Sequence, residues 1–492
     1  MNSQHFDVLI IGAGLSGIGA ACHLMGEVPE RSVAVLERRD RMGGTWDLFR
    51  YPGVRSDSDM YTFGYKFRPW QDVKVLADGA SIRQYLVDTA AQFGVNEKIH
   101  YARKVVSADW STPQGRWTVT TLHEATGETR TYSCNFLVNC TGYYNYDAGH
   151  LPDFPGIDRF DGRCVHPQFW PEDLNYSGRR VVVIGSGATA ITLIPAMAGD
   201  AEHVTMLQRS PSYVISLPAV DKISQILGRF LPDGWVYAVG RRRNIALQRG
   251  VYRACRRWPQ LMRRLLLWDV RRRVGPSVGM SNFTPRYLPW DERLCIVPNG
   301  DLFKTLSSGE ASVVTDQIDT FTEHGIRLAS GRELPADIIV TATGLNIQML
   351  GGMTLTVDGA ERHLHDQMMY KGVLVQNMPN LAMIFGYTNA SWTLKSDIAS
   401  VYLCRLLAHM DANGYAVATP RDDRDCGLDV GIMDQMQSGY ARRGDDVLPR
   451  QGAEHPWRVL MQYEYDAKML VEDPIEDRAL QLRRPVDDPA VV

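Results

Sequence analysis

Two short segments place opposite charges at matching positions. Gly12-Ala13-Gly14-Leu15-Ser16-Gly17 is followed by Glu37, and Gly185-Ser186-Gly187-Ala188-Thr189-Ala190 is followed, at nearly the same distance, by Arg209 and Ser210. Glycines at this spacing let backbone approach a pyrophosphate, and the helix that follows offers the partial positive charge of its N-terminus. A carboxylate accepts from ribose hydroxyls and repels a 2′-phosphate, whereas a guanidinium and a hydroxyl bind one. The first site therefore suits an unphosphorylated ribose such as that of FAD, and the second suits NADPH. Ala190 stands where the second motif would carry its third glycine.

Further candidates lie beside these motifs. Gly43-Gly44-Thr45-Trp46, just past the ribose acid, suggests backbone kept bare so that a flat ring system can pass. In Arg50-Tyr51-Pro52-Gly53-Val54-Arg55-Ser56-Asp57, the placement of Arg50 and Asp57 beside such a loop predicts a role in the site rather than a surface ion pair. Thr141-Gly142 and Thr343-Gly344 each end an apolar run, as expected of strands that return beneath a nucleotide and cross between domains. Between the two glycine motifs lie Phe160, Gly162, His166, Trp170 and Pro171, which combine a glycine turn, an imidazole able to titrate near neutral pH and a large aromatic ring. Taken alone, that stretch reads as a loop with a satisfied histidine.

The elements that must hold these residues follow from hydropathy. Asp7-Val8-Leu9-Ile10-Ile11 and Arg180-Val181-Val182-Val183-Ile184 are continuous apolar runs, the mark of parallel strands buried on both faces, and each leads through its glycines into a helical stretch and a second strand. Alternation from Tyr101 to Tyr132 predicts a small antiparallel meander with a turn at Gly127. The expected fold is α/β, with two Rossmann-like dinucleotide-binding domains and a helical insertion. The boundaries are 1–145 and 345–492 for a discontinuous FAD domain, 146–217 and 291–344 for the NADP domain, and 218–290 for the insertion. The polar, aromatic loop Gly386–Lys395 either lines a pocket or simply starts a helix, and the chain from about Pro474 reads as a loose tail.

At 492 residues the chain exceeds what one core usually serves. A net charge of −3 points to no nucleic-acid partner overall, no apolar run nears the roughly 18 residues of a membrane span, and the N-terminus lacks the basic start of a signal peptide. The eight scattered cysteines form no C-x-x-C pair and read as reduced thiols, not as a disulfide frame or metal site, so a cytoplasmic location is expected. Charge is nevertheless uneven. Arg241 to Arg273 holds twelve arginines and the single acid Asp269, a local +11 that leaves −14 elsewhere. Pro259 is placed to start the second helix of this insertion, with Leu261, Leu265 and Trp268 on one face and Arg263, Arg264 and Arg271 off it. Such a helix can rest on an anionic membrane or act as a lid with its apolar side packed on the body. The lid is the favoured reading, with peripheral contact at the inner face of the cell membrane open at the same time.

With these residues in view, the chain resembles the class B flavoprotein monooxygenases, and among them the Baeyer-Villiger type. The family pattern F-x-G-x-x-x-H-x-x-x-W-[PD] is met by Phe160, Gly162, His166, Trp170 and Pro171, between two dinucleotide motifs. The similarity runs from Asp7 to about Trp457, and Gly43–Trp46, Arg50–Gly53 and Asn389–Trp392 look closest to the ethionamide-activating subgroup. The resemblance implies that Arg293 is the mobile catalytic arginine, that Asp57 pairs with it near the flavin, and that Arg209 contacts the 2′-phosphate. It also implies that His166 is structural and relays domain motion. The implied reaction takes molecular oxygen and NADPH through a flavin peroxide stabilised by Arg293 to convert a small hydrophobic ketone to an ester or lactone. Relatives also oxygenate sulphur or nitrogen in thioethers, thioamides or amines. Many of them carry a lysine just before the catalytic arginine, where this chain has Glu292, which loosens the expected preference for NADPH over NADH. A disulfide reductase is disfavoured, because no cysteine pair follows Gly43-Gly44. The non-enzyme alternative is a membrane-associated nucleotide-binding scaffold or sensor.

Overall fold

The structure is a computed structural model that describes residues 4–72, 74–276, 278–434, 436 and 439–485. Strand β1 (Gln4–Ile11), helix α1 (Leu15–Glu27) and strand β2 (Val33–Leu36) form the first unit. β1 pairs in parallel with β2 on one side and with Thr129–Asn139 on the other. Val8, Leu9 and Ile10 are fully buried because α1 covers one face of the sheet and a second apolar cluster covers the other, as a run with no polar alternation requires. The predicted meander continues the sheet through Arg116–Leu122 and Lys104–Ser111, both antiparallel.

The second unit repeats the plan with β3 (Arg180–Ile184), α2 (Ala188–Met197) and β4 (His203–Gln208). Its five strands are all parallel, in the order Ala311–Thr315, β4, β3, Ile338–Thr341, Arg163–Val165. Between the two sheets, Tyr144–Gly149 and Leu345–Ile347 pair antiparallel, so both connecting segments run side by side.

The insertion forms three helices, α3 (Lys222–Leu227), α4 (Asp233–Arg257) and α5 (Pro259–Val274), and Pro259 does start the last of them. The lid geometry is not found. Leu261, Leu265 and Trp268 face solvent, and α5 packs on the body through Val270 and Val274 instead. The chain after Pro474 is not a loose tail up to residue 485. Leu480–Arg483 pairs with Val417–Pro420, and Ile475, Ala479 and Leu480 are buried, because these apolar side chains finish the core beside the long helix α6 (Trp392–Asn413). Residues 486–492 lie outside the described part. Among the described residues no helix is long and apolar enough to cross a membrane.

Candidate active site

The first motif is built by close backbone contacts. Gly12 has φ +101°, and a Cβ there would lie 2.8 Å from the Cys140 carbonyl oxygen; Gly185 has φ +142°, and its Cβ would lie 2.3 Å from the Ala342 carbonyl oxygen. Each of these glycines therefore presses on the strand end that precedes Thr141-Gly142 or Thr343-Gly344, so each glycine turn is closed against one of the twin strands. Glu37 is buried, and it accepts from the Ala13 amide (2.7 Å) and the Arg39 amide (2.9 Å). Burial raises its pKa, while the two amides act in the opposite sense. The carboxylate thus fastens the glycine turn and keeps lone pairs for ribose hydroxyls, so the residues present fit the group expected there.

One cleft gathers most of the predicted first-site residues. Gly12, Gly14, Glu37, Gly44, Thr45, Trp46, Asp57, Thr141 and Gly142 line it, together with Ala188 and Thr189 from the second unit and Arg293. Arg293 and Asp57 form a two-point ion pair inside it: Nη2 donates to Oδ1 at 3.1 Å, and Nε lies 3.1 Å from Oδ2. Burial, the largest single influence, opposes the guanidinium's charge, but Asp57 together with Tyr440, Tyr143 and Tyr144 leaves the Arg293 pKa above its ordinary value. Gly17 sits beneath the turn rather than in the cleft.

Arg50 does not join this site. It pairs with Asp47 (3.5 Å) and Glu172 (2.8 Å), because Asp47, itself buried among Arg39, Arg41, Arg50 and Arg83, lies one helical turn away. The residues between Arg50 and Asp57 instead reach the second unit: Arg55 pairs with Asp301 at 2.5 Å, and burial pushes the Tyr51 hydroxyl up to about 12 where it meets Thr189.

The second motif is more open. Gly187, Ala188, Arg209 and Ser210 are exposed, and none of Gly185, Gly187, Arg209 and Ser210 lines the cleft. The Ser186 hydroxyl donates to the Ser210 carbonyl at 3.0 Å, which folds the glycine turn onto the segment carrying Arg209. Arg209 makes no ion pair among the described residues, so its guanidinium is available to a phosphate. Glu292, whose pKa is raised by burial, feels both Arg209 and Arg442.

The stretch from Phe160 to Pro171 lies apart from both glycine turns, at the connecting strands. The Gln168 amide donates to His166 Nδ1 at 3.2 Å, so the proton on Nε2 is donated to the Gly344 carbonyl at 3.1 Å. Burial holds this imidazole's pKa below its ordinary value. Thr343 Oγ1 donates to the His150 carbonyl at 2.5 Å, and the Gln168 side chain donates to the Asn145 carbonyl at 2.7 Å. A Cβ at Gly149 would fall 2.1 Å from the His166 ring, so glycine is required where the ring crosses the first connecting strand. Phe160 is buried in the second unit's core and Trp170 packs against its other apolar cluster. His166 therefore bonds to Gly344 at the start of the second connecting segment, lies against Gly149 of the first, and does not line the cleft.

Tyr143 and Tyr144, which sequence reasoning did not single out, join Trp392 of the Gly386–Lys395 loop in walling the cleft beside Arg293. Trp392 stacks on Tyr143 (centroids 5.4 Å apart, 19° between planes), Tyr143 packs on Phe385 and Tyr440, and Trp392 Nε1 donates to Ser16 Oγ at 2.8 Å. The run Tyr143-Tyr144-Asn145-Tyr146 directly after Thr141-Gly142 was a usable signal; nothing local marks Tyr440. The loop before α6 lines the cleft through Tyr387, Ala390 and Trp392, which settles its role as a pocket wall.

Comparison with known proteins agrees with this geometry. A family model described as flavin-binding monooxygenase-like matches residues 6–224. The chain is 74% identical over 492 residues to the putative FAD-containing monooxygenase MymA of Mycobacterium tuberculosis, covering 99% of each. The chain belongs to the flavin-binding monooxygenase family. A second relative of this flavin monooxygenase is the FAD-containing monooxygenase EthA of Mycobacterium tuberculosis, 49% identical over 485 residues with 98% of each chain covered. This chain shares its fold with an oxidized steroid monooxygenase bound to NADP, with a TM-score of 0.78 at 23% identity, covering 98% of this chain and 100% of that one.

Proposed function

We propose that this monooxygenase uses FAD and NADPH to insert one oxygen atom of O2 beside the carbonyl of a small hydrophobic ketone, giving an ester or lactone. The observation that carries this reading is the Arg293–Asp57 pair in a cleft lined by both glycine-rich units. FAD, once reduced by NADPH, supplies the oxygen-activating chemistry. Glu37 and the bare turn at Gly12 and Gly14 would hold its ribose and pyrophosphate, and Gly44, Thr45 and Trp46, which line the same cleft, would border its ring system. Arg209 and Ser210 hold the 2′-phosphate of NADPH. Asp57 occupies Nε and Nη2 of Arg293, which leaves Nη1 without a hydrogen bond among the described residues on a side chain that lines the cleft. A fixed cation at that point stabilises negative charge developing on oxygen in the transition state, a contribution of roughly 3–4 kcal/mol for one such donor. Tyr143, Tyr144 and Trp392 keep the place dry, which strengthens that interaction and selects an apolar substrate. His166 is a positioning residue that couples the two connecting strands.

One observation favours oxygenation of sulphur or nitrogen as the second reading. Asp57 already balances the Arg293 charge, so the site also tolerates an uncharged oxygen donor, which attacks a nucleophilic thioether, thioamide or amine. Oxygen uptake by the flavin-loaded protein with NADPH, screened against linear ketones, cyclic ketones and thioethers with products weighed by mass spectrometry, separates the two. Esters or lactones formed with stoichiometric oxygen support the first reading; sulphoxides alone replace it with the second. NADPH oxidation that yields only peroxide with every substrate overturns both.

A further inference from the structure

The insertion divides its arginines between two tasks. On the inner side, Arg241 is buried, donates to the Tyr61 and Gly64 carbonyls at 2.8 and 2.9 Å, and lies 3.7 Å from Asp397. Arg243 pairs with Asp221, Arg249 with Glu464, and Arg256 with Asp291, so α4 is fastened to the body along its length. Arg242, Arg253, Arg257, Arg263, Arg264 and Arg271 make no ion pair among the described residues, and all of them except Arg263 are exposed. A soluble surface has no need to concentrate unpaired cations in a chain whose remainder carries −14.

The same segment concentrates the apolar exposure. Among the described residues seventeen large hydrophobic side chains are exposed, and twelve of them fall between Leu217 and Trp268. Trp258, Leu261, Leu265 and Trp268, spaced three, four and three residues apart, form one stripe along α5 that is 50–59% exposed, opposite the buried Val270 and Val274. Arg264 and Arg271 flank that stripe, and the Arg272 guanidinium lies over the Trp268 ring, 5.0 Å from its centroid. Phe230 at 79% and Trp235 at 68%, around the start of α4, are the two most exposed large apolar side chains among the described residues. A row of large apolar side chains exposed along one helix face marks a docking surface. Tryptophan tips beside arginines, on a helix lying flat against the body, match the boundary between lipid headgroups and acyl chains.

We infer that the outer face of the insertion docks the enzyme on an anionic phospholipid bilayer, with the α5 stripe and Phe230 and Trp235 in the interface and the unpaired arginines against the headgroups. This surface is distinct from the cleft of Arg293 and does not depend on which substrate is oxidised. The charge argues for lipid over a second copy of the chain, since two such faces brought together would oppose their own unpaired arginines.

Co-sedimentation of the flavin-loaded full-length protein tests the inference, with vesicles of phosphatidylcholine alone and of an equal mixture with phosphatidylglycerol. The protein is expected to bind the mixed vesicles at least about tenfold more tightly, and to release as salt rises. The variant carrying W258S, L261S, L265S and W268S should lose that binding while keeping bound flavin and NADPH oxidation. The exposed pair R264E and R271E, which leaves every apolar contact in place, should weaken it as well. No binding by the wild type, equal binding to both vesicle types, or undiminished binding by both variants overturns the inference. So does a wild-type dimer that ignores vesicles and becomes monomeric in the serine variant, an outcome that assigns the face to a second copy.

Discussion

The two glycine-rich units share a plan and differ in enclosure. In the first, Gly14 is half-buried, Gly17 is buried, and a Cβ at Gly17 would lie 1.8 Å from the Gly12 carbonyl oxygen. In the second, Gly187 is exposed with nothing within 4 Å of an added Cβ, and the third glycine is replaced by Ala190, which is buried without strain. The acid of the first unit is locked to its own turn, whereas the arginine of the second stands free at the surface. A cofactor kept through turnover needs the closed arrangement; one that arrives reduced and leaves oxidised needs the open one. The same chain signature thus produces two binding regimes, set by how tightly the third glycine position must close.

The largest expected break in this comparison comes from Gly17→Ala, which should yield protein without bound flavin, seen as loss of visible absorbance after purification. Ala190→Gly, the reciprocal change, should leave NADPH affinity nearly intact and cost only about 1 kcal/mol of stability, the usual helix penalty for glycine, read by thermal unfolding. Next in size, Arg293→Ala should lower product formation by about 100- to 1000-fold, as loss of one preorganised donor does. NADPH should still reduce the flavin in that variant, so stopped-flow reduction and product yield part company. Gly149→Ala should displace the His166 ring and uncouple reduction from oxygenation, measured as peroxide released per NADPH, with His166→Ala giving the same phenotype.

The smallest effect is a pH dependence inside the first unit. Burial disfavours the charged form of His23, but Asp397 at 2.8 Å and Glu27 at 2.7 Å more than offset it and raise its pKa to about 9. The folded state therefore favours the protonated ring. Its stabilisation is complete below the unfolded pKa of about 6.5 and is lost as pH rises through about 9. Melting temperature should fall over that interval in the wild type, and His23→Gln should lack this component of the fall.

Much of the fold was legible because dinucleotide units are local: strand, glycine turn, helix and ribose residue lie within a few dozen positions, and Glu37 and Arg209 sit at the ends of β2 and β4. Asp57 was legible from its place beside the Gly43-Gly44 loop, but Arg293 and its pairing with Asp57 came only through resemblance, since 236 positions separate the two and no spacing rule joins them. Arg50 was misassigned because proximity in sequence to Asp57 hid a closer partner, Asp47. The insertion showed its amphipathic period but not its orientation: hydrophobicity says that a stripe exists, and only packing says which side faces the body. Tyr440 comes to Tyr143 through tertiary contact, which no local pattern encodes.

The opposite ribose preference of the two units is tested most directly by anaerobic reduction of the bound flavin, followed by its visible absorbance, with NADPH and NADH at limiting concentration. The account predicts that NADPH is preferred, and that Arg209→Ala reduces the preference by about 10- to 100-fold, the worth of a charged hydrogen-bond contact. Equal reduction by both coenzymes in the wild type, or a preference untouched by Arg209→Ala, would contradict it.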